Sequence, residues 1–598
     1  MLLKKIIETY FSNLLFFYRF LRLRVFVVLA LSILVAFLDG LGLTMFLPLL
    51  QIADGQQEAT SVGLGKMGFV VDALTSIGLS INLITVLCVI VFFFCLKGIA
   101  VFLSKAYAVS VRQFFMRALR MRLINQLCEY SYKDFATADA GRIQNSLTGE
   151  VARVTTGYVN YFSSLQGMFL VGVYMLFAFL VDWRFAGLTT IGGVLTNLIF
   201  RRIYRLTKEA SRKVSAGNTN LQGLLVQFIT HFRYLKATGS LRTFGNKLRV
   251  AILDIEKNNS RIGMLDARIS ASREPLIISV VCLVIALQVY VLEGSLSSVL
   301  ISLVFFYRSL AALMTVQTSY NSFLGVSGSL ENIEKMEQEF KSGREESGTI
   351  QFEGLKAGLE LRNVGFRYGS GDWVLKDINL SVQRNQTLAF VGQSGSGKTT
   401  LMNIISGLVH PSVGSFEIDG IPSEQLDIRT YQNRIGYISQ DPVVFNDTIF
   451  NNVTFWAKPE KENQLRFDRA IGLASLEGFV KALPDGRETL LGNNGINLSG
   501  GQKQRISIAR ELYKDVDILI FDEATSSLDS ETEKQIQENI EMLRGKYTIL
   551  IVAHRLSTVK NADVIFVMDK GTISERGSFD YLMANSQRFR RMVELQEI

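Results

Sequence analysis

The chain is short of cysteine and proline. Its four cysteines, Cys88, Cys95, Cys128 and Cys282, lie mostly inside apolar runs and form no C-x-x-C pair, so neither a disulfide framework nor a structural zinc site is expected. Only 7 prolines, 48 glycines without a G-X-Y period and charged residues at 20% argue against a collagen-like or disordered chain. There is no internal repeat and no low-complexity tract. What abounds is apolar: 48% of 598 residues, with a mean hydropathy of +0.25, which excludes a purely soluble protein and exceeds one ordinary domain. The net charge of +9 gathers in loops flanking apolar spans, so membrane topology explains it better than a nucleic-acid partner does.

About 20 consecutive, mostly apolar residues suffice to cross a bilayer as a helix. Six such spans lie near 25–50, 83–108, 160–181, 184–203, 275–293 and 295–323, the third and fourth separated by a tight turn at Asp182, Trp183 and Arg184. The segment after the second span carries Arg112, Arg117, Arg120, Arg122, Lys133, Arg142 and Arg153. The segment after the fourth carries Arg201, Arg202, Arg205, Lys208, Arg212, Lys213, Arg233 and Lys236. The positive-inside rule makes both cytosolic, and with them both chain ends. Their length and helical periodicity predict membrane helices prolonged as rods, with tips near 130–138 and 230–237.

Residues 1–24 read as an interfacial amphipathic helix: Lys4 and Lys5 precede an interrupted run with Arg19, Arg22 and Arg24, and no small-residue cleavage site follows. Residues 25–330 then form an all-α, six-helix transmembrane domain with long cytosolic extensions, and 331–354 a charged helix and linker. Residues 355–598 turn to short β-rich runs punctuated by glycine, the texture of an α/β domain.

The sharpest local signal is GQSGSGKTT, Gly392 to Thr400, set between an apolar strand and a helical run. That context defines a P-loop, in which the backbone N–H groups around Gly392, Ser394, Gly395, Ser396, Gly397 and Thr400 close on phosphate. Lys398 would reach the β and γ oxygens of ATP and Thr399 would ligate Mg²⁺. Downstream a strand ends in Asp522, suited to hold Mg²⁺ through water, and Glu523, suited to polarise an attacking water. An acidic pair at a strand end is often a mere solvated terminus, but the P-loop upstream argues against that.

Between them lies LSGGQ, Leu498, Ser499, Gly500, Gly501 and Gln502. In that position it resembles the signature of the ATP-binding cassette (ABC) family, and the six spans with long extensions resemble the transmembrane half of a type IV exporter. The resemblance covers the whole chain and implies an α/β P-loop ABC nucleotide-binding domain. It implies that Tyr368 stacks on adenine, that Gln440 is a lid glutamine sensing Mg²⁺, that Asp529 lies in the D-loop and that His554 contacts the γ-phosphate. One departure stands out: the acidic residue common before the signature is absent, Asn493 and Asn494 standing in that region. The family's signature closes the ATP site of a second nucleotide domain, and this chain holds one, so a dimer is implied; a homodimer is the simplest reading, with a heterodimer as the alternative.

Charges within spans are costly and often functional. Asp39, Lys97 and Arg308 qualify as substrate contacts, Arg308 midway along the sixth span being the best placed for an anion. The bland alternatives are an Arg308–Asp39 pair and, for Lys97, snorkelling to the interface. The run from Phe37 to Leu50, with an external amphipathic stretch at 67–77, is similar to the exporter subgroup that flips lipid-linked oligosaccharides or exports surface glycans. An ATP hydrolase exporting an amphipathic cargo, such as a pyrophosphate-linked glycolipid, from a bacterial inner membrane is therefore expected. A lipid, multidrug or peptide exporter of the same fold is the alternative, and an ABC-regulated channel or receptor the non-transport one.

Overall fold

The computed structural model describes residues 12–53, 68–76, 78, 81–181, 183–290, 296–369, 371–523, 530–553 and 559–595. The chain divides into two compact units: residues 1–130 with 138–343, and residues 131–137 with 344–598.

Among its described residues the first unit is helical throughout. Three helices dominate it: Leu83–Cys128 of 46 residues, Trp183–Thr230 of 48 and Leu241–Tyr290 of 50. Each is about 70 Å long, more than twice the ~30 Å hydrocarbon core of a bilayer. In Leu83–Cys128 the apolar stretch gives way to Lys105, Arg112 and Arg117 without a helix breaker, while Leu241–Tyr290 continues past the internal Pro275. Among the described residues, Leu23–Thr44, Leu83–Cys128 and Ala140–Leu180 are long and apolar enough to cross a membrane. The turn residue Asp182 lies outside the described residues, while the external stretch contains the helix Gly68–Ser76.

The N-terminal amphipathic segment contains the helix Ser12–Leu21, separated from Leu23–Thr44 by Arg22 at φ 47°. Its apolar face meets protein more than lipid. Phe16 and Phe17 are fully buried against Phe115, Tyr158, Tyr161 and Phe162, with Phe115 and Tyr158 stacked at 5.5 Å. The charged stretch from 331 is part of the helix Ser327–Ser342, which buries Leu330, Ile333, Met336 and Phe340 in this unit. Arg122 meets Glu337 at 2.9 Å, Lys208 and Arg212 meet Glu331 at 3.1 and 2.7 Å, and Arg142 pairs with Glu339. Burial alone would raise the Glu331 carboxyl, but Arg212 and Lys208 together outweigh it and hold the group below its ordinary range.

The second unit carries two sheets. The four-stranded one has the order β2-β1-β4-β5, with β1 Gly358–Phe366, β2 Leu375–Gln383, β4 Val413–Ile418 and β5 Ile421–Pro422, all antiparallel. The six-stranded one runs β10-β9-β3-β8-β7-β6. Its strands β3 (Thr387–Gly392), β6 (Ile435–Ile438), β7 (Ile518–Asp522), β8 (Thr548–Val552) and β9 (Val564–Asp569) are parallel, and β10 (Thr572–Gly577) is antiparallel. Strands β3, β7 and β8 are buried along their whole length, as near-continuous apolar runs covered on both faces should be. Residues 131–137 fold with this unit, Ser131 capping the short helix Tyr132–Phe135 by accepting from the Asp134 N–H at 3.2 Å. Phe352 and Leu355 enter its core, and the Gly348 N–H donates to Leu426 O at 2.9 Å, so the segment read as a linker is anchored.

One contact in the first unit tests its packing. A Cβ on Gly141 would lie 2.5 Å from the Gly223 Cα and 2.7 Å from its nitrogen, inside any real contact distance. Gly141→Leu should therefore cost about 1–3 kcal/mol or more through backbone displacement. The melting temperature of the detergent-solubilised protein is expected to fall, whereas Gly245→Ala, which meets nothing within 4 Å, should leave it nearly unchanged.

Candidate functional site

The loop after β3 is built for close approach. At Gly392 a Cβ would lie 2.4 Å from Met568 O, and Gly397, at φ 100°, would press one onto Leu375 at 2.7 Å. The loop opens the helix Lys398–Ile405, whose N-terminus carries the unpaired N–H groups that favour an anion. Lys398 is buried and its Nζ donates to Gly392 O at 2.8 Å and Gln393 O at 3.1 Å. Burial draws its ammonium below the usual lysine range, while Glu523 and Asp522 act the other way. Ser396 is 4% exposed and its Oγ has no hydrogen-bond partner among the described residues. A buried orphan hydroxyl beside a desolvated ammonium at a helix start fits phosphate oxygens. Ser394, Gly395 and Thr399 are exposed on the rim, and Thr400 is buried.

Topology brings the acidic pair to the same sheet edge. In register, Val552 of β8 lies opposite both Phe390 of β3 and Asp522 of β7, so the P-loop and the acidic pair emerge from strand ends with β8 between them. Asp522 is nearly buried and accepts from the Tyr437 hydroxyl at 2.7 Å. Burial, then this hydrogen bond, pushes the Tyr437 phenol well above its usual range. Glu523 sits at φ 52°, a left-handed conformation that costs a non-glycine residue energy, and its N–H donates to Val552 O at 2.9 Å. Such strain at a strand end is retained only where the surroundings impose it, which separates Glu523 from a plain solvated terminus.

Ser499 caps the helix Gly500–Tyr513 in a capping box: its Oγ accepts from the Gln502 N–H at 3.3 Å and Gln502 Oε1 accepts from the Ser499 N–H at 2.9 Å. Ser499 and Gly500 are exposed and Gly501 is buried. Asn494 adopts φ 50°, a conformation asparagine tolerates better than an ordinary residue, so its place in the turn before the signature has a backbone reason. Tyr368 is 37% exposed and meets Phe366 edge-on at 4.8 Å. Gln440 is exposed, whereas Asp529 and His554 lie outside the described residues. Two residues escaped the sequence reading. Tyr437, the tyrosine of an IGYIS strand, could have been placed by strand alternation beside an acidic strand end. Arg510 had no motif: it is buried in the signature helix and donates to Asn452 O at 2.6 Å and Val443 O at 2.8 Å, tying that helix to the segment after Gln440.

In the first unit, Asp39 is 3% exposed and pairs with Lys97 at 2.5 Å while accepting from the Tyr174 hydroxyl. This replaces two expectations. Asp39 is paired with Lys97 and not Arg308, and Lys97 turns to that carboxylate instead of snorkelling. Arg308 is exposed and has no ion pair among the described residues.

A helical membrane region joined to a P-loop domain with this acidic strand end defines a membrane-embedded ATPase. The family model described as ABC transporter matches residues 375–526, and that described as ABC transporter transmembrane region matches residues 25–318. The chain is 31% identical over 503 residues to the ATP-dependent lipid A-core flippase of Cupriavidus pinatubonensis, covering 82% of this chain and 84% of that one. It is 29% identical over 478 residues to the heterocyst differentiation ATP-binding protein HepA of Nostoc sp., covering 80% and 78%. Its fold matches a bacterial Atm1-family ABC exporter with ATP bound at a TM-score of 0.79 and 22% identity, covering 97% of this chain and 99% of that one. The chain belongs to the ABC transporter family, as a half-transporter of type IV exporter fold that couples ATP hydrolysis to transport.

Glu523→Gln keeps the shape and hydrogen-bonding capacity of the strained residue while removing its basicity. It should lower ATPase turnover by about 10²-fold or more with ATP binding retained, as loss of a general base does. Lys398→Ala should instead weaken nucleotide binding. Fluorescent-nucleotide titration alongside phosphate release reads both, and near-normal turnover in Glu523→Gln would remove it from that role.

Proposed function

We propose that the protein works as a homodimeric flippase of a bacterial inner membrane, its nucleotide domains in the cytosol, moving a phosphate-bearing lipid outward. The finer candidate is a lipid-linked oligosaccharide or glycan precursor carrying a pyrophosphate. The observation that supports this is the contrast among intramembrane charges: Asp39 and Lys97 neutralise each other, whereas Arg308, midway along Leu296–Leu324, has no ion pair among the described residues. An unpaired charge at that depth is costly, and a fixed fork of donors suits phosphate oxygens. The relative named a lipid A-core flippase favours a lipid cargo over a peptide or a drug.

In the nucleotide site, the loop from Gly392 to Thr400 would hold the phosphates of ATP, Lys398 would offset their charge and Tyr368 would stack on the base. Thr399, Gln440 and Asp522 are oxygen donors of the kind Mg²⁺ takes, and the ion would supply charge neutralisation on the phosphates. Glu523 would accept a proton from the attacking water, with Tyr437 keeping Asp522 in place. His554 would contact the γ-phosphate, and Asp529 would lie beside the dimer boundary. Ser499, Gly500, Gly501 and Gln502 would close the partner's site. A closed pair of nucleotide domains favours one membrane state only so far as ATP and cargo bind the two states unequally.

Mass spectrometry of lipids retained by the purified protein tests the cargo directly, and a neutral lipid or none would remove the phosphate reading. Arg308→Ala and Arg308→Lys should both reduce cargo-stimulated ATPase with basal ATPase kept, lysine being milder. Since Asp39 has its own partner, Arg308→Ala should not lower folding yield. Lys97→Met should, by leaving a buried carboxylate unpaired at about 3–5 kcal/mol, and adding Asp39→Asn should restore the yield. Loss of yield in Arg308→Ala with normal yield in Lys97→Met would assign Arg308 a structural role. For the dimer, cysteines replacing Ser499 and Ser396 should crosslink between chains in the ATP-trapped Glu523→Gln background; crosslinks confined to single chains would contradict it.

A further inference from the structure

A cavity of about 820 Å³ opens beside the base of Leu23–Thr44, against the helix Leu83–Cys128. Three arginines line it, Arg24, Arg117 and Arg120, together with Tyr107, Gln113 and Phe114, and no acidic residue does. The Arg24 guanidinium lies 3.5 Å from the centre of the Phe114 ring, and that of Arg117 6.0 Å from the same ring. None of the three has an ion pair among the described residues, although Arg122 on the same helix is paired with Glu337 at 2.9 Å. Residues 113, 117, 120 and 124 share one helical face by their spacing, so the positive charge points one way.

Depth decides what that charge is for. Arg24 is the second residue of Leu23–Thr44, whose 22 residues match a bilayer span. Its stacking on Phe114 sets that ring at the membrane boundary, and Arg117 and Arg120 follow about 5 and 9 Å farther along the axis. Tyr107 lies on the membrane side of Phe114, where an aromatic ring with a polar tip is favoured. Guanidiniums held at the level of lipid headgroups and left without carboxylates match a phosphodiester, with acyl chains running back past Tyr107.

We propose that this cavity is a binding site for the phosphate-bearing headgroup of an anionic phospholipid of the cytosolic leaflet, separate from the cargo contact at Arg308. It rests on the cytosolic orientation proposed above, and on no assumption about cargo.

The test is electron paramagnetic resonance of the full-length protein in phosphatidylcholine nanodiscs carrying spin-labelled phosphatidylglycerol or spin-labelled phosphatidylcholine. The wild-type protein should immobilise phosphatidylglycerol preferentially, and each arginine removed should weaken that preference by about fivefold. Arg24→Gln, Arg117→Gln and Arg120→Gln combined should abolish it, whereas Arg242→Gln, Arg249→Gln and Arg261→Gln, which lower the net charge equally elsewhere, should not. Arg120→Glu alone gives the same readout should the triple variant fold poorly. Equal loss in both triple variants would overturn the proposal in favour of general charge attraction. A dimer that dissociates on native mass spectrometry in the first triple variant, with lipid preference intact, would overturn it in favour of a contact between copies. Stabilisation by inorganic phosphate without any preference for phosphatidylglycerol would reassign the site to a free anion. Because neither ATPase nor transport is read, a wrong cargo assignment leaves the result interpretable.

Discussion

Everything else in the first unit depends on the continuity of three helices of 46, 48 and 50 residues. Inside a bilayer each backbone group must be satisfied within its own segment, which compels a helix; outside it, only a breaker would end one. Leu83–Cys128 has none at the boundary, and Leu241–Tyr290 continues past the Pro275 that stands there. A helix that crosses without interruption is stiff, so a tilt imposed at one end is felt at the other. The chain then folds residues 131–137 with its second unit, between two stretches of the first.

Close packing joins the rod Trp183–Thr230 to two shorter helices, Ala140–Asn145 and Ser327–Ser342. Gly141 approaches Gly223 at backbone distance, and Gly328 approaches the backbone of Ser211 and Arg212 in the same way, with a Cβ there meeting Ser211 O at 2.7 Å. Ion pairs on Ser327–Ser342 then fix the register, since Glu331 and Glu337 each meet basic residues from a different long helix. Glu337 is almost fully buried, so its pairing with Arg122 constrains geometry more than it adds stability.

Legibility in the sequence followed the range of the interaction. The P-loop, the signature and the acidic strand end could be read because each is a short run whose chemistry is local, and the rods because periodicity is local too. The partner of Asp39 could not: three candidate charges lie in different helices, and only packing decides that Lys97, 58 residues away, reaches it first. The N-terminal helix was legible as amphipathic, but not that Phe16 and Phe17 would find Phe115 and Tyr158 instead of lipid. Arg510 was invisible for the same reason, because its partners, the backbone oxygens of Asn452 and Val443 and the Asn452 side-chain oxygen, lie 58 and 67 residues away.

The charges of this protein sort by whether they have found a partner. Lys97 with Asp39, Arg122 with Glu337 and Arg212 with Glu331 close on themselves, and their role is complete within the fold. Lys398 is different: it is buried and lowered by desolvation, with Glu523 and Asp522 acting the other way, and among the described residues it donates to the carbonyls of its own loop and has no ion pair. Arg308 in the membrane region and Arg24, Arg117 and Arg120 at its boundary likewise have no ion pair among the described residues. Desolvation is unfavourable for the buried Lys398, which a phosphate would offset, whereas the four arginines are exposed and would gain from a phosphate through their forked donors. One physical rule thus connects the nucleotide, the cargo and the surrounding lipid: each would complete a positive site that the chain itself leaves open.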